Sequence, residues 1–449
     1  MYDDIPHIDY LSTLAHEGTQ QICPMDSYPK CQQTFIIKPM RNRKLVLLLL
    51  FFLTCQARAQ KAPFNFRIRT ITAGVALKDL SDTLTIIRAV NFLKQAQKEF
   101  TNAGYEVQTI RIATSNLYTL TNNSSLNDAL PFLKAIDNIA ARQGITFISV
   151  GQILAPERYQ VGIGDWATQL CQNTNTIIFN ISISSHQQGI HLNSVKASAE
   201  IITSLSRVDQ GEANFRFAAI ANCPANIPFF PAAFHEGVDS FGIGLETPNL
   251  LTEAFNSSNS STAKQTLKTV LEQNLKPIEK LAEKISSITK WKYDGIDVSP
   301  APGLDASIGQ AIETFTKQPF GSPSTLRACA LITDVLKSIE IKKCGYSGLM
   351  LPVIEDKVLA TRAAEQRYTV QELLLYSSVS GTGLDVVPIA GDTPKASIEG
   401  ILTDVAALSL KYNEKALSVR LFPIPNKKAG DKVTFDNPYL TGTVVMKVD

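Results

Sequence analysis

The chain has 449 residues, of which 44% are hydrophobic and 19% are charged, so it can bury one large core or two ordinary ones. Its formal net charge is only +2, and no basic stripe with interleaved aromatic residues occurs. The composition therefore argues against nucleic acid as a partner.

The strongly apolar run near the N-terminus is typical of an export signal. Met40 to Lys44 is basic, Leu45 to Leu53 is apolar but too short to span a membrane, and Ala57 to Ala59 has the pattern of a cleavage site. An uncleaved anchor, or a lipoprotein attached through Cys55, is the alternative. The predicted parts are an unstructured leader or mis-assigned start over 1–39, a signal peptide over 40–59, and a mature domain over 60–449. We therefore expect a periplasmic or secreted protein without a stable membrane span after cleavage.

The predicted mature domain contains four cysteines: Cys171, Cys223, Cys329 and Cys344. No two of them have the C-x-x-C spacing that is typical of structural zinc sites. An exported chain can pair them in disulfides. Because the core is large enough without crosslinks, we expect buried free thiols.

The first elements of the mature domain predict a βαβ unit. Phe66 to Thr72 is a short apolar run typical of a strand. Ser81 can cap a helix whose apolar residues recur at helical spacing up to Phe100, and Tyr105 to Ile112 is typical of a second strand. Such a unit favours parallel pairing with a right-handed crossover.

The same alternation continues to the C-terminus. The predicted helices cover 127–143, 194–205, the stretch from 262 to 288, 325–339, 370–378 and 393–410. The predicted strands cover 145–150, 215–221, 241–245, 295–298, 348–353, 384–389 and 416–421, followed by an extended hairpin over 431–448. Pro388 is expected to end or bulge its strand. About ten strands alternating with helices predict a parallel α/β barrel or an extended doubly wound sheet.

A loop from Asn222 to Gly237 separates two buried strands. Its prolines oppose a helix, and its three phenylalanines favour a segment that folds over other groups, so it is a candidate site loop. His235 in this loop is a candidate for proton transfer, with a packed loop residue as the alternative. Cys223 is a weaker candidate nucleophile. His186 and His191 are expected at the surface.

Polar side chains at the carboxyl ends of the predicted strands are candidate ligand contacts, because ligands collect there in parallel α/β folds. Glu246 and Asp297 are candidate metal ligands or a proton pair. Further candidates at strand ends are Asn222, Ser299, Glu355, Asp356 and Asp392. Helix capping is the alternative, and we favour it for Ser299, Asp356 and Asp392.

Four segments resemble the DUF711 or UPF0210 family of uncharacterised proteins over essentially the whole mature chain. They are Arg67 to Gly74, Asn222 to Gly237, Asp294 to Pro302, and Ser418 to Pro425 with Asp431 beyond. The resemblance implies a ten-stranded α/β barrel similar to pyruvate formate-lyase and other glycyl radical enzymes. No radical-bearing glycine follows Val419 to Phe422, so no glycyl radical is expected. Ala225 and Asn226 replace acidic residues expected in the loop, which weakens a metal site there.

Two functions remain open. The first is a non-radical enzyme that acts on a small polar metabolite, with His235, Glu246 and Asp297 as catalytic groups and Glu246 and Asp297 also as ligands of a divalent metal. Its substrate-binding residues are Arg69, Asn222, Ser299 and Glu355. The second is a small-molecule binding protein that uses the same cleft without turnover. A homo-oligomer is compatible with either function.

Overall fold

The computed structural model describes residues 64–122, 125–303, 305–411 and 415–448. The predicted leader and signal peptide lie outside these residues, so export stays a prediction. Within the described ranges, no helix is both long enough and apolar enough to cross a membrane.

A ten-stranded sheet forms the centre of the fold. Its strands are β1 (Arg67–Val75), β2 (Val107–Thr114), β3 (Phe147–Gln152), β4 (Ile177–Ser185), β5 (Gly189–Ile190), β6 (Phe217–Ala221), β7 (Ser240–Glu246), β8 (Lys292–Pro300), β9 (Gly383–Ala390) and β10 (Leu417–Ile424). Their order is β8-β7-β1-β2-β3-β4-β6-β10-β9, with β5 paired to β4. The predicted α/β class and number of strands are confirmed.

The sheet consists of two groups of strands that run in opposite directions. β1, β2, β3, β4 and β6 are mutually parallel. β7 joins β1 antiparallel and carries β8 parallel to itself, while β10 joins β6 antiparallel and carries β9 in the same way. The sheet is therefore mostly parallel with two antiparallel junctions, and the carboxyl ends of its strands lie at both ends of the sheet.

Residues 342–353 lie between the two edge strands. Lys343 forms an isolated parallel bridge with Ile296 of β8, and Pro352 forms one with Asp385 of β9. The predicted strand over 348–353 is wrong as a regular strand, because only this single bridge forms there. Pro388 lies inside the edge strand β9, where a missing backbone N–H is tolerated.

Helices surround the sheet. They are α1 (Thr83–Asn102), α2 (Leu117–Thr121), α3 (Leu130–Gln143), α4 (Ile163–Asn173), α5 (Leu192–Leu205), α6 (Pro248–Asn256), α7 (Ala263–Thr289), α8 (Ile308–Thr316), α9 (Thr325–Ser338), α10 (Lys357–Ala364), α11 (Val370–Ser377) and α12 (Lys395–Lys411). Short 3₁₀ helices cover Leu126–Ala129 and Asp209–Arg216. The predicted C-terminal hairpin is present as β11 (Lys432–Val433) paired with β12 (Thr443–Val444).

Helix α1 shows how the local sequence determines an element. Its buried side chains recur at helical spacing and pack against β1 and β2. The predicted apolar face is confirmed from Val90 to Phe100 but is wrong for Leu84 and Ile87, which are exposed. Asp82, rather than the predicted Ser81, caps the helix by accepting from the Thr85 N–H at 3.2 Å. Ser81 instead donates its hydroxyl to Asp79 at 2.5 Å.

The loop between β6 and β7, residues 222–239, crosses one face of the sheet; we call it the inner loop. Side chains of β1, β3 and β4 donate hydrogen bonds to its carbonyl oxygens: Thr72 to Pro228 at 2.8 Å, Ser149 to Ala233 at 2.6 Å, and Asn180 to Pro231 at 2.8 Å. A loop without regular structure can be buried here because the strands satisfy its backbone.

Candidate functional site

A small cavity lies where the inner loop meets both groups of strands; we call it the cationic cavity. Its volume is about 50 Å³, which corresponds to roughly three to five water molecules at ~10–15 Å³ each. It is lined by Arg69, Arg111, Arg420, Glu355, Asp385, Thr382, Ser418, Tyr346, Met350, Ala301, Ile178, Phe147, Phe215 and residues Phe229 to Ala232 of the inner loop. Three arginines and two carboxylates around so small a space leave an excess of one positive charge.

The two strand directions determine which ends of the strands surround the cavity. Arg69 and Phe147 come from the amino-terminal parts of β1 and β3, whereas Ala301 directly follows the carboxyl end of β8. The expectation that the site lies at the carboxyl ends of all strands is therefore wrong for the first group, because β7 and β10 join it antiparallel.

Arginines and carboxylates alternate along a series of ion pairs at this end of the sheet. The series, which we call the ion-pair chain, consists of Arg67, Glu246, Arg69, Glu355, Arg420 and Asp385. Gln108 reinforces it by accepting from Arg69 at 3.0 Å and donating to Glu246 at 2.6 Å. The nitrogen to oxygen distances are, in order, Arg67 to Glu246 2.7 Å, Arg69 to Glu246 3.6 Å, Arg69 to Glu355 3.8 Å, Arg420 to Glu355 2.8 Å and Arg420 to Asp385 2.5 Å. Each arginine in this chain is neutralised.

Arg111 differs from the other arginines. Its side chain is buried, its Nε donates to Thr109 Oγ1 at 3.1 Å, and its ζ carbon lies over the rings of Phe147 and Phe230 at 5.7 and 5.3 Å. No ion pair joins it to an Asp or Glu of the described ranges. Burial, reinforced by the positive charge of Arg69, lowers the pKa of Arg111 to about 9. The guanidinium is thus charged at neutral pH and, within the described part of the chain, has no ion-pair partner, although Glu355 stabilises its charge from a longer distance.

Thr382 and Asp385 are two further polar groups of the cavity. Thr382 is only 3% exposed, and its Oγ1 has no hydrogen-bond partner. Asp385 binds Arg420 Nε through Oδ1. Burial raises the pKa of Asp385 and the negative charge of Glu355 adds to this, while Arg420 opposes it. A ligand in the cavity would find a cation, a hydroxyl and a carboxyl group that can hold a proton.

His235 lies at the other end of the sheet from Glu246. Its ring contacts Gly74, where an added Cβ would lie 2.3 Å from Nδ1, whereas Glu246 binds Arg67. Arg67 and Gly74 are seven residues apart in β1, roughly 23 Å at ~3.3 Å per residue. The expectation that His235 and Glu246 meet in one cleft is therefore wrong.

The surroundings of His235 resemble those of a packed loop residue. Nδ1 is 2.8 Å from Asn226 Oδ1, Nε2 is 3.3 Å from the Gly237 carbonyl, and the residue is 1% exposed. Burial lowers the pKa of His235, with the Gly237 carbonyl opposing this. These contacts occupy both ring nitrogens, so catalysis by His235 stays a prediction.

Asp297 has a structural environment. Its carboxylate is fully buried and accepts from the backbone N–H groups of Ser299, Tyr346 and Ser347 at 3.0, 2.8 and 2.9 Å. Burial raises the pKa of Asp297 and these hydrogen bonds oppose that shift. Gly345, at φ +64°, allows this approach, since a Cβ there would lie 2.1 Å from Oδ2. The carboxylate therefore holds a turn of residues 342–353 against β8.

The predicted metal ligands share no partner. Glu246 binds Arg67, Arg69 and Gln108, whereas Asp297 binds backbone N–H groups. No group of three or more His, Cys, Asp or Glu side chains that could hold a metal ion occurs among the described residues. Glu246 and Asp297 as metal ligands stay a prediction that the observed contacts do not support.

The other candidates occupy different places. Asn222 has a left-handed backbone, φ 52°, and its N–H donates to Ser184 O at 3.0 Å, outside the lining of the cavity. Ser299 lies in β8, and its hydroxyl accepts from the Gly348 N–H at 3.1 Å; the capping alternative is wrong for it. The capping of α10 by Asp356 is confirmed, with Val358 N at 3.0 Å. Of the predicted substrate-binding residues, Arg69 and Glu355 line the cavity.

Two predictions about single residues have clear outcomes. The four cysteines are free, as expected, and burial raises the pKa of the Cys223 thiol to about 12, which disfavours a nucleophilic role. The surface prediction for His191 is wrong, because the side chain is fully buried. Its Nδ1 is 3.2 Å from the Ser182 carbonyl and its Nε2 is 3.2 Å from Ser185 Oγ.

Arg111, Thr382 and Asp385 were not predicted as site residues. Arg111 was grouped with the apolar residues of its strand. The available signal was the presence of arginines inside apolar strand segments, since Arg67 and Arg69 flank Ile68 in β1 and Arg111 lies between two isoleucines in β2. In a strand that is buried on both faces, each charged side chain is costly unless it is paired, so such a residue is a candidate for a functional role.

Fold and site together define an α/β protein with a ten-stranded, mostly parallel sheet and a buried cationic cavity. Residues 62–436 match the model of the family described as "Uncharacterised ACR (DUF711)". The chain therefore belongs to the DUF711 family, as its motifs predicted.

Curated relatives cover most of the chain. It is 26% identical over 399 residues to a UPF0210 protein of Ligilactobacillus salivarius, covering 83% of this chain and 88% of that protein. It is 25% identical over 413 residues to the UPF0210 protein Teth514_2074 of Thermoanaerobacter sp., covering 85% and 90%. The UPF0210 protein CPE1497 of Clostridium perfringens is 25% identical over 399 residues, covering 83% and 88%.

Proposed function

We propose that the cationic cavity binds a small anionic metabolite and that the protein converts it by non-radical proton transfer. The observation that carries this proposal is Arg111, a buried guanidinium with no counterion among the described residues. Burying an unpaired charge costs several kcal/mol, so such a group is retained where a ligand supplies the missing charge. Arg69 and Glu355 would orient that ligand from the cavity wall.

Asp385 is the proposed proton donor or acceptor. It lines the cavity, and burial, with the negative charge of Glu355 adding to it and Arg420 opposing it, raises the pKa of Asp385 above its ordinary value, which favours proton exchange. Arg420 holds both carboxylates, with 2.5 Å to Asp385 and 2.8 Å to Glu355, and so fixes the pair against the ligand. The unpartnered hydroxyl of Thr382 offers one hydrogen bond for orientation.

A direct test compares Arg111→Gln with Arg88→Gln, because Arg88 is an exposed arginine paired with Asp239. Binding of acetate, glycolate, lactate and inorganic phosphate would be measured by calorimetry. Loss of a charged hydrogen-bond pair costs ~1.5–3 kcal/mol, so Arg111→Gln should weaken binding roughly 10- to 100-fold while Arg88→Gln leaves it unchanged. Equal binding by both variants, or no binding of any anion by the wild type, would refute the proposal.

The alternative is an anion-binding protein without turnover. The saturation of the ion-pair chain favours it, because Glu355 and Asp385 both already bind Arg420. Asp385→Asn distinguishes the two functions: a proton-transfer group should reduce kcat far more than ligand affinity. If Asp385→Asn changes affinity alone, and no reaction of a bound anion is found, binding without turnover is the better description.

We also infer that residues 342–353 close the sheet into a barrel, as the family resemblance implies. The support is the pair of bridges to β8 and β9, with Cys344 N to Ile296 O at 3.1 Å and Val353 N to Asp385 O at 3.1 Å. Closure would place the inner loop and the cavity inside the barrel. Amide hydrogen exchange tests this, since the Cys344 and Val353 amides should then exchange as slowly as those of β7.

The remaining assignments stay proposals from the sequence. They are catalytic roles for His235, Glu246 and Asp297, substrate contacts by Asn222 and Ser299, a divalent metal on Glu246 and Asp297, a homo-oligomer, and a periplasmic or secreted location. The proposed proton transfer at Asp385 requires none of them.

A further inference from the structure

We propose that the ligand is an elongated monocarboxylate whose carboxylate binds Arg111 and whose uncharged body extends past Arg69 and Glu355 into a second, larger compartment. This inference rests on the proposed function, since it needs an anion on Arg111. It adds the chemical class of the ligand and the direction in which the ligand lies.

The size of the cationic cavity limits the group that can reach Arg111. A volume of about 50 Å³ holds roughly three to five atoms of the size of a water oxygen, at ~10–15 Å³ each. A carboxylate with one or two further carbon atoms meets that limit. A sugar phosphate or a nucleotide does not fit in this space.

The surroundings of Arg111 favour a planar anion. Its Nε is occupied by Thr109, and the rings of Phe147 and Phe230 lie next to its ζ carbon. The two terminal nitrogens are therefore the donors left for a ligand. A carboxylate matches two such donors in one plane, with two parallel N–H···O bonds.

A larger compartment shares two of its lining residues with the cationic cavity; we call it the outer compartment. Its volume is about 680 Å³, within the ~300–1,000 Å³ typical of small-molecule sites. Arg69 and Glu355 line both spaces. The other residues around it are Arg67, Glu106, Gln108, Pro302, Gly303, Asp305, Pro438 and Tyr439. The two spaces together are large enough for a ligand much longer than the inner cavity can hold.

The two residues that line both spaces form the longest contact of the ion-pair chain. Arg69 and Glu355 are 3.8 Å apart, too far for a hydrogen bond, whereas Arg420 binds Glu355 at 2.8 Å. Separating Arg69 from Glu355 thus costs less than breaking the other pairs, because Arg69 keeps Gln108 at 3.0 Å and Glu246 at 3.6 Å. A ligand chain can pass here and leave each charge with a partner.

The outer compartment favours an uncharged ligand body. Its charged side chains already pair with one another: Arg67 binds Glu106 at 2.9 Å and Asp305 at 2.6 Å. Tyr439, whose ring lies 5.1 Å from the Arg69 ζ carbon, and the prolines at 302 and 438 offer apolar surface. A second charge on the ligand would find no free partner among these side chains.

The test is a series of carboxylates of increasing length with a neutral control. Calorimetry would give the affinities of acetate, butanoate, hexanoate and octanoate, and of hexanamide, for the wild type, Arg111→Gln and Tyr439→Ala. We expect affinity to rise roughly 10- to 200-fold from acetate to hexanoate, because hexanoate can bury four more methylene groups, each of which contributes up to ~4-fold. Hexanamide should bind at least 10-fold more weakly than hexanoate.

The variants separate the two proposals. Arg111→Gln should weaken binding of every acid, whereas Tyr439→Ala should weaken hexanoate more than acetate. Equal affinities of acetate and hexanoate, both lost in Arg111→Gln, would overturn the elongated ligand and leave the anion site intact. Hexanoate binding that survives Arg111→Gln, or no binding of any acid, would overturn both. A second variant of the outer compartment, Pro302→Ala, repeats the comparison if Tyr439→Ala does not fold.

Discussion

Buried polar groups have different surroundings at the two ends of the sheet. At the His235 end, both imidazole nitrogens contact oxygen atoms, of Asn226 and of Gly237, and no space is left, since even a Cβ on Gly74 would collide with the ring. At the other end, Arg111 carries a buried charge that forms no ion pair with any described residue, and it faces a cavity. The residue with the more familiar catalytic chemistry thus lies in the more inert environment.

The difference shows that satisfaction of a polar group is more informative than its type. A histidine in a loop with prolines and aromatics attracts attention in a sequence, but its contacts here are those of packing. An arginine in a strand suggests a solvent-facing position, yet its burial without a partner is what an anion site requires.

The largest expected effect is a loss of stability after removal of Arg420, which forms ion pairs with two carboxylates. Arg420→Met removes the shared partner of Asp385 and Glu355, which lie at 2.5 and 2.8 Å, and leaves the buried Asp385 carboxylate unpaired and Glu355 with only the distant Arg69 at 3.8 Å. We expect the free energy of unfolding to fall by ~3–5 kcal/mol. Urea unfolding at neutral pH measures it, and a loss below ~1 kcal/mol would mean that the ion-pair chain is not a buried unit.

Arg111→Met should change the free energy of unfolding in the opposite direction to Arg420→Met. Because burial lowers the pKa of Arg111 to about 9, the folded state is penalised by its charge at neutral pH. In its unfolded state the group keeps an ordinary, higher pKa, so the penalty is present below pH 9 and decreases as pH rises above that value. Arg111→Met should therefore raise the unfolding free energy by ~1–2 kcal/mol while removing anion binding. Destabilisation comparable to that of Arg420→Met would indicate a protein partner for Arg111.

The packing at the His235 end can be tested with a single methyl group. Gly74→Ala places a Cβ 2.3 Å from His235 Nδ1, so the ring or the strand must move, at a cost of ~1–3 kcal/mol. Gly400→Ala is the matched control, because that helical glycine has open space and the change should stabilise α12 by ~0.5–1 kcal/mol. Similar effects of both variants on unfolding would mean that His235 is loosely held.

The smallest expected effect concerns pH. Burial lowers the pKa of His235 below 6.5, so the unfolded state binds its proton more tightly. Stability should fall as pH decreases through 6.5 and should level off below the folded pKa. His235→Gln should reduce this slope between pH 5 and 7, whereas replacement of the exposed His186 should not. An unchanged slope in His235→Gln would show that the imidazole is not desolvated.

Much of the fold could be predicted because α1, β1 and β2 have uniform periodicities. Strand β4, Ile177–Ser185, was missed for a physical reason. Asn180 in this strand is polar because it donates to the inner loop, a long-range contact that periodicity does not encode. His191 was misplaced for a similar reason, since Ser182 and Ser185 satisfy it in the interior.

The candidate site was predictable only in part. Arg69 and Glu355 were identified from the family segments and from a strand end, and both line the cavity. Arg111 and Asp385 were not identified, because their position at the cavity depends on which strands become neighbours. In the sheet, β10 lies next to β9 and β6, and β7 lies next to β1. The antiparallel junctions place the amino-terminal ends of one group of strands beside the carboxyl-terminal ends of the other group. The pattern of each strand taken alone does not predict this arrangement.

The position of β1 between β2 and β7 also has a consequence for synthesis on the ribosome. Ile68 pairs with Val107 on one side and with Leu245 on the other. At ~5–20 residues per second, the ribosome needs roughly 10–30 s after β1 emerges to produce β7. During that interval one edge of a buried strand has no partner in the nascent chain. Translation pauses before residue 246 would prolong this exposure, so the aggregation risk of this protein depends on codon usage as well as on its amino-acid sequence.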